Sequence, residues 1–166
     1  MLHTAVVDAF LAMREAAAGE GLDLLPQSSF RDFDHQRRIW NAKYCGERPA
    51  RDHRGRPADL SRLAPARRVE MILLWSALPG ASRHHWGSDI DVVDGGVVAG
   101  GYEPKLERPE FMRGGQFSTL SRWLSSNMRR YGFYRPYTRA GRGVQPEPWH
   151  LSFAPVARRA LPLLTV

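Results

Sequence analysis

Two separated segments carry the residue types with the most chemistry. Ser82-Arg83-His84-His85-Trp86-Gly87-Ser88-Asp89-Ile90-Asp91 sets a histidine, His84, and a carboxylate, Asp91, seven residues apart. Glu147-Pro148-Trp149-His150 sets a glutamate three residues before a second histidine. Two imidazoles and one carboxylate make a three-ligand set of the kind that binds zinc and leaves a fourth position open. A further carboxylate beside such a set is what metal-assisted hydrolysis needs as a general base. Hydrolysis at a site built from His84, Asp91, His150 and Glu147 is the chemistry these segments point to.

The surrounding pattern says what must position them. In an extended segment after Gly87, Asp89, Asp91 and Val93 share one face while Ile90 and Val92 face a core. Gly87 and Ser88 give the preceding loop the freedom to fold His84 back over Asp91. The second segment is less regular. Residues three apart on a plain strand face opposite sides, and Pro148 rules out a helix interior. Glu147 and His150 converge only if the chain bends near Pro148-Trp149.

Helices are expected over residues 4–18, 34–44, 61–77 and 118–131, with a short one after Pro155, from the spacing of their apolar residues. Asp59 or Ser61 would cap the third, and Pro79-Gly80 would stop it. Strands are expected within Leu22–Phe33, at Ile90–Val93, near Tyr131–Tyr134 and in Pro146–Phe153. A short hairpin strand is expected at Val97-Val98, between the glycine pairs at 95–96 and 100–101, and a surface loop over 46–57. Helices and short strands mix without a βαβ rhythm, which favours an α+β fold.

Composition bounds the rest. The 166 residues suit one domain, 1–166, with a real core. The net charge is +7, and nearly all of the basic excess is arginine, the lysines being Lys43 and Lys105. The arginines fall in scattered pairs, so a nucleic-acid module is not expected. No apolar run approaches the roughly 18–20 residues of a membrane span, and no secretory leader is evident at the N-terminus. Cys45 is the single cysteine and is read as incidental, since an intrachain disulfide is impossible. His3, His35 and His53 lie outside the motifs and are read as packed or surface residues. His85 is left open between a supporting group, a substrate contact and an alternative ligand. Asp89 could rival Asp91 as a ligand but is ranked as a supporting, hydrogen-bonding residue.

These residues resemble the zinc D,D-peptidase family, which includes the D-Ala-D-Ala carboxypeptidases of vancomycin resistance, D,D-dipeptidases and phage peptidoglycan endopeptidases. The family pattern is Ser-x-His-x-x-Gly-x-Ala-x-Asp followed by Glu-x-x-His. Ser82, His84, Gly87 and Asp91 fall in register, and Glu147-Pro148-Trp149-His150 fits throughout. Ser28-Ser29-Phe30-Arg31-Asp32-Phe33, with Gln36 and Trp40 after it, is similar to the family's Ser-Gly-Tyr-Arg-Ser segment and the helix that follows.

The resemblance implies a small antiparallel sheet with helices packed around it and one Zn²⁺ in a cleft, held by His84, Asp91 and His150. It implies Glu147 as general base and Arg31 as the group that stabilises developing charge on the scissile carbonyl. It places Ser82, Gln36, Asp89 and Trp149 at the substrate. The implied activity is hydrolysis of peptidoglycan stem peptides by a monomer facing the cell wall, most directly as a D-alanyl-D-alanine carboxypeptidase. An endopeptidase, a D,D-dipeptidase or a non-catalytic zinc-stabilised wall-binding domain are the alternatives. The departure is Asp89, where the family carries alanine.

Overall fold

The computed structural model describes residues 1–140 and 144–163. Helix α1 spans Thr4–Ala18, and the His3 ring accepts a hydrogen bond from Ala5 N–H at its start. Its buried stripe is Val6, Phe10, Met13 and Ala17, the three-to-four-residue spacing of an amphipathic helix. Strand β1 (Leu24–Ser28) follows, and α2 (Phe33–Tyr44) begins at an Asp32 side chain that accepts from His35 N–H at 2.6 Å. The expected 46–57 loop contains a minimal hairpin, β2 (Ala50–Arg51) with β3 (Pro57–Ala58). Asp52 closes it by accepting from the N–H groups of Arg54 and Arg56.

Helix α3 covers only Pro65–Leu73, shorter than the 61–77 expected. Asp59 accepts from Ser61 N–H to form a local turn, so neither residue caps the helix. Pro65 opens α3 instead, after Ala64. At the other end, Leu74 C=O accepts from Gln145 N–H at 2.8 Å rather than from a further helical turn. The central strand β4 (Asp89–Asp94) runs into α4 (Gly95–Ala99), which replaces the hairpin strand expected at Val97-Val98. Asp94 caps α4 by accepting from Gly96 N–H at 3.0 Å, and Gly95 N–H donates to Asp23 C=O at 2.7 Å. A Cβ at Gly95 would meet the Asp23 side chain, so glycine lets that carboxylate pack against the turn.

A short helix α5 (Arg108–Phe111) precedes α6 (Ser118–Asn127), which tightens into a 3-10 turn over Met128–Tyr131. Strands β5 (Phe133–Tyr134) and β6 (His150–Phe153) and helix α7 (Ala154–Ala160) follow. One antiparallel four-stranded sheet has the order β1-β4-β6-β5. Ile90, Val92, Leu151 and Phe153 point from one face into the main core, against α1 and α6. The opposite face carries the polar residues of interest. Asp91 lies opposite His150, and Asp89 opposite Ser152. The fold is therefore α+β, with helices around a small antiparallel sheet. Among the described residues no helix is long and apolar enough to cross a membrane.

Candidate metal centre and its groove

A 3-10 turn over Arg83–Trp86 carries His84 above Asp91. Gly87 ends that turn at φ +66°, and a Cβ there would sit 3.0 Å from the Met1 carbonyl oxygen. Both the left-handed backbone and the close approach demand glycine. The turn is tied to the segment leaving β1 by three bonds. The Arg31 N–H donates to His84 C=O at 3.3 Å, His84 Nδ1 lies 2.7 Å from Ser29 C=O, and His85 Nδ1 lies 2.6 Å from Arg31 C=O. His85 Nε2 also accepts from Gly80 N–H at 3.0 Å. His85 is thus a structural tie, with both nitrogens occupied. His84, whose Nδ1–H donates to Ser29, turns Nε2 toward Asp91.

The bend expected near Pro148 is present. His150 N–H donates to Glu147 C=O at 3.2 Å, closing a turn over Pro148-Trp149 at the start of β6. That turn brings Glu147 Oε2 to 3.2 Å from His150 Nδ1. His84 Nε2 lies 3.4 Å from Asp91 Oδ2, and His150 Nδ1 lies 3.2 Å from Asp91 Oδ1. A tetrahedral zinc site with ligands at about 2.0–2.1 Å has edges of about 3.3 Å. Ligand atoms of His84, Asp91 and His150 all lie within 4.8 Å of one another, and all three residues are buried. Asp91 Oδ1 is enclosed without a hydrogen-bond partner. A buried carboxylate with an imidazole nitrogen near each of its oxygens, one of which has no donor among the described residues, fits a divalent cation.

The electrostatics agree. Burial alone would raise the Asp91 pKa, but His84 and His150 hold it well below the usual carboxylate range. Burial would lower the His150 pKa. The carboxylates of Asp89, Asp91 and Glu147 around its ring outweigh this and raise it well above 6.5. In the metal-free centre a proton on His150 stands where cationic charge is wanted.

Asp89 does not meet substrate. It is completely buried behind His150, with Oδ2 2.7 Å from His150 Nε2. Arg83 Nε (2.8 Å), Ser88 Oγ (2.6 Å) and Ser152 Oγ (2.8 Å) donate to the same carboxylate. The expectation of a substrate contact at Asp89 is corrected: three side chains and a ring nitrogen surround it, leaving no face toward the groove. Its place is that of the carboxylate that orients a metal-binding histidine and leaves the other nitrogen, here Nδ1, free. Asp89→Asn is expected to weaken zinc binding about 10–100-fold in a chelator competition, with the fold retained. Unchanged affinity would remove that role.

Arg83 and Ser152 were not singled out from sequence. A carboxylate at a position normally held by alanine was the available signal, since such a buried charge demands donors. Arg31 donates to Asp91 Oδ2 (3.0 Å), Ser28 Oγ (3.1 Å) and Gln36 Oε1 (3.0 Å). Gln36 is buried and donates in turn to Ala77 C=O at 2.8 Å, so it positions Arg31. Ser82 lines a small recess with His84, His150, Glu147 and Tyr137, a tyrosine that sequence reasoning also missed. Trp149 is buried against Phe111 and Val93 and forms part of the wall of a groove of about 550 Å³. Asp91 and Glu147 lie on the inner surface of that groove.

A family profile described as VanY, D-alanyl-D-alanine carboxypeptidase, matches residues 1–156. The chain belongs to this family. A Haemophilus influenzae protein of uncharacterized function is 47% identical over 77 residues, 46% of this chain and 53% of the relative. A D-alanyl-D-alanine carboxypeptidase of Enterococcus faecalis is 27% identical over 142 residues, 84% of this chain and 43% of that protein. The matches thus span about half the length of these curated relatives. Among solved structures, VanYB in complex with D-alanine-D-alanine superposes with a TM-score of 0.67 at 20% identity, over 98% of this chain and 77% of that one. A glutamate-to-alanine variant of the vancomycin-resistance D,D-pentapeptidase VanY, in complex with Zn(II), gives 0.66 at 21% identity, over 96% and 77%. The LdcB LD-carboxypeptidase gives 0.63 at 22% identity, over 98% and 64%. The likeness to these structures is one of fold.

Proposed function

We propose that the chain is a zinc-dependent carboxypeptidase of peptidoglycan stem peptides that removes a terminal D-alanine. The observation that carries this reading is the convergence of the buried His84, Asp91 and His150, with Glu147 Oε2 3.2 Å from His150 Nδ1. His84 Nε2, Asp91 and His150 Nδ1 would hold Zn²⁺. When bound, the ion would supply Lewis-acid polarisation of the scissile carbonyl and of the attacking water.

The protein's own residues do the rest. Glu147 accepts the proton of the attacking water and delivers it to the departing amine, which is general base and then general acid catalysis by one carboxylate. Its backbone is fixed at both ends: Glu147 N–H donates to Tyr137 C=O at 3.1 Å, and its C=O closes the Pro148-Trp149 turn. Arg31 has five N–H donors, of which Asp91, Ser28 and Gln36 engage three. The remaining N–H groups are available to a substrate carbonyl oxygen as charge develops on it. Ser82 and Trp149 border the space a peptide would occupy. The family pattern is that of enzymes facing the cell wall, and that compartment belongs to the same reading.

The test is mass spectrometry of a muramyl-type pentapeptide ending in D-Ala-D-Ala, and of the tetrapeptide it yields, with zinc-loaded and with chelated protein. Zinc-dependent loss of one alanine from the pentapeptide is expected. Loss from the tetrapeptide alone would make the enzyme an L,D-carboxypeptidase. Loss of a dipeptide or an internal cut would move it to the dipeptidase or endopeptidase class. Bound zinc with no cleavage would favour a wall-binding domain.

A further inference from the structure

The groove beside the metal centre has an uneven charge balance. Among the described residues, five cations line it: Arg31, Lys43, Arg48, Arg51 and Lys105. The carboxylates lining it are Asp91 and Glu147, and both belong to the candidate metal centre. Arg31 is committed to Asp91, and Arg51 is paired with Glu107. Among the described residues, Lys43 forms no ion pair with a carboxylate. Its ammonium donates to Ser76 Oγ at 2.5 Å and retains two further N–H donors.

Lys43 is held in an unfavourable setting. It lies on the last turn of α2, half-buried, with Trp75-Ser76 behind it and Arg48 and Arg51 beside it. Its pKa is lowered from 10.5 to about 8, first by burial and then by Arg31, Arg48 and Arg51, against the opposing pull of Glu147. A partly desolvated ammonium among three guanidiniums, with one neutral serine as partner, lacks a counter-charge. Methionine or leucine would fill the same wall at lower cost. The groove therefore fits a ligand that brings the anion, and Glu147 is near enough for its charge to be felt at Lys43.

We propose that Lys43, with Arg48 beside it, forms the subsite for a free carboxylate of the substrate peptide, adjacent to the bond that Glu147 addresses. This rests on the proposed peptidase reading. The carboxylate has two possible sources: the C-terminus of the peptide, or the side-chain carboxylate of a diamino-dicarboxylic residue within it. Lys43 would then determine specificity, with Ser76 orienting its ammonium.

The test compares zinc-loaded wild type, Lys43→Met and Lys43→Arg on three versions of one stem peptide: free acid, C-terminal amide, and side-chain amide. Wild type is expected to prefer the free acid over one of the amides by about tenfold in kcat/KM, the size of one charge-assisted hydrogen bond in a half-exposed site. Lys43→Met should raise KM on the free acid and collapse that preference toward unity, while Lys43→Arg restores part of it. The amide that wild type discriminates against identifies the carboxylate. Zinc content and Tm report the folding of each variant. A preference that survives in Lys43→Met overturns the subsite, as does a loss shared equally by all three peptides. If wild type cleaves no stem peptide, the peptidase reading fails first. Calorimetric binding of D-Ala-D-Ala, its amide and the side-chain-amidated peptide then decides the subsite alone. Weaker binding of a carboxylate form to Lys43→Met than to wild type would support it, and equal binding would overturn it.

Discussion

Glu147→Gln is expected to lower turnover about 10²–10⁴-fold while zinc content stays at the wild-type level. Glutamine keeps the shape of the side chain and its hydrogen-bonding reach but cannot take up a proton. Glu147 Oε2 touches His150 Nδ1 at 3.2 Å, so a rival role as a fourth metal ligand is open to the same experiment. A base and a ligand differ in what their loss removes. If Glu147 is the base, kcat falls and metal affinity is kept or rises slightly, because a negative charge competing for His150 has gone. If it is a ligand, metal is lost along with activity. Retained turnover in Glu147→Gln would sink both, and the proton would then need another acceptor. Steady-state kinetics on the stem pentapeptide, with zinc measured on the same samples, separates the three cases.

The grouping at the centre was legible in sequence because it obeys local rules. Strand alternation puts Asp89 and Asp91 on the polar face of β4, opposite Ile90 and Val92, and the structure has that arrangement. The conflict between strand geometry and a Glu147–His150 pair required a bend, and the Pro148-Trp149 turn provides it. The helices at 4–18 and 34–44 followed from apolar spacing, and the Asp32 cap of the second emerged from the structure. Long-range partners were not legible. Leu74 leaves its helix because Gln145, seventy-one residues later, takes its carbonyl. Val97-Val98 turns helical because Asp94 caps it and Asp23 crowds Gly95. Asp89 looked like a groove residue because alternation gives a face and not a depth. Only the pairing of β4 with β6 shows that His150 stands between it and the groove. Lys43 lies on the helix that follows the Ser28–Phe33 segment but in no motif itself, and its neighbours in the groove come from segments far apart in sequence.

Removing an imidazole should have a different signature from removing the base. His84→Ala and His150→Ala are each expected to lose zinc, and with it the rise in Tm that zinc gives the wild type through binding to the folded state. The pH dependence gives a sharper form of this test. In the metal-free protein the His150 pKa is raised well above its unfolded value of 6.5. Protonated His150, bonded to Asp89 and facing the carboxylates of Asp91 and Glu147, therefore stabilises the metal-free fold fully below about pH 6.5. That contribution is lost as pH rises through the folded pKa. Zinc needs His150 Nδ1 unprotonated and so displaces the proton. Apparent zinc affinity should accordingly rise with pH, by about tenfold per unit while one proton is displaced, and level off above the His150 pKa. Calorimetry in buffers of different ionisation enthalpy counts the protons released. In His84→Ala the His150 proton remains, but the second nitrogen ligand is gone, so residual binding should be weak with the same sign of pH dependence. In His150→Ala, Asp89 and Arg83 keep each other neutralised, while Asp91 and Glu147 face one another without the proton between them. That variant should be less stable than wild type at pH 6 and closer to it at pH 9, whereas loss of a neutral core side chain would cost the same at both. Wild-type zinc affinity that does not change between pH 5 and 8 would show that His150 carries no displaceable proton, and retention of zinc in His150→Ala would remove it from the ligand set.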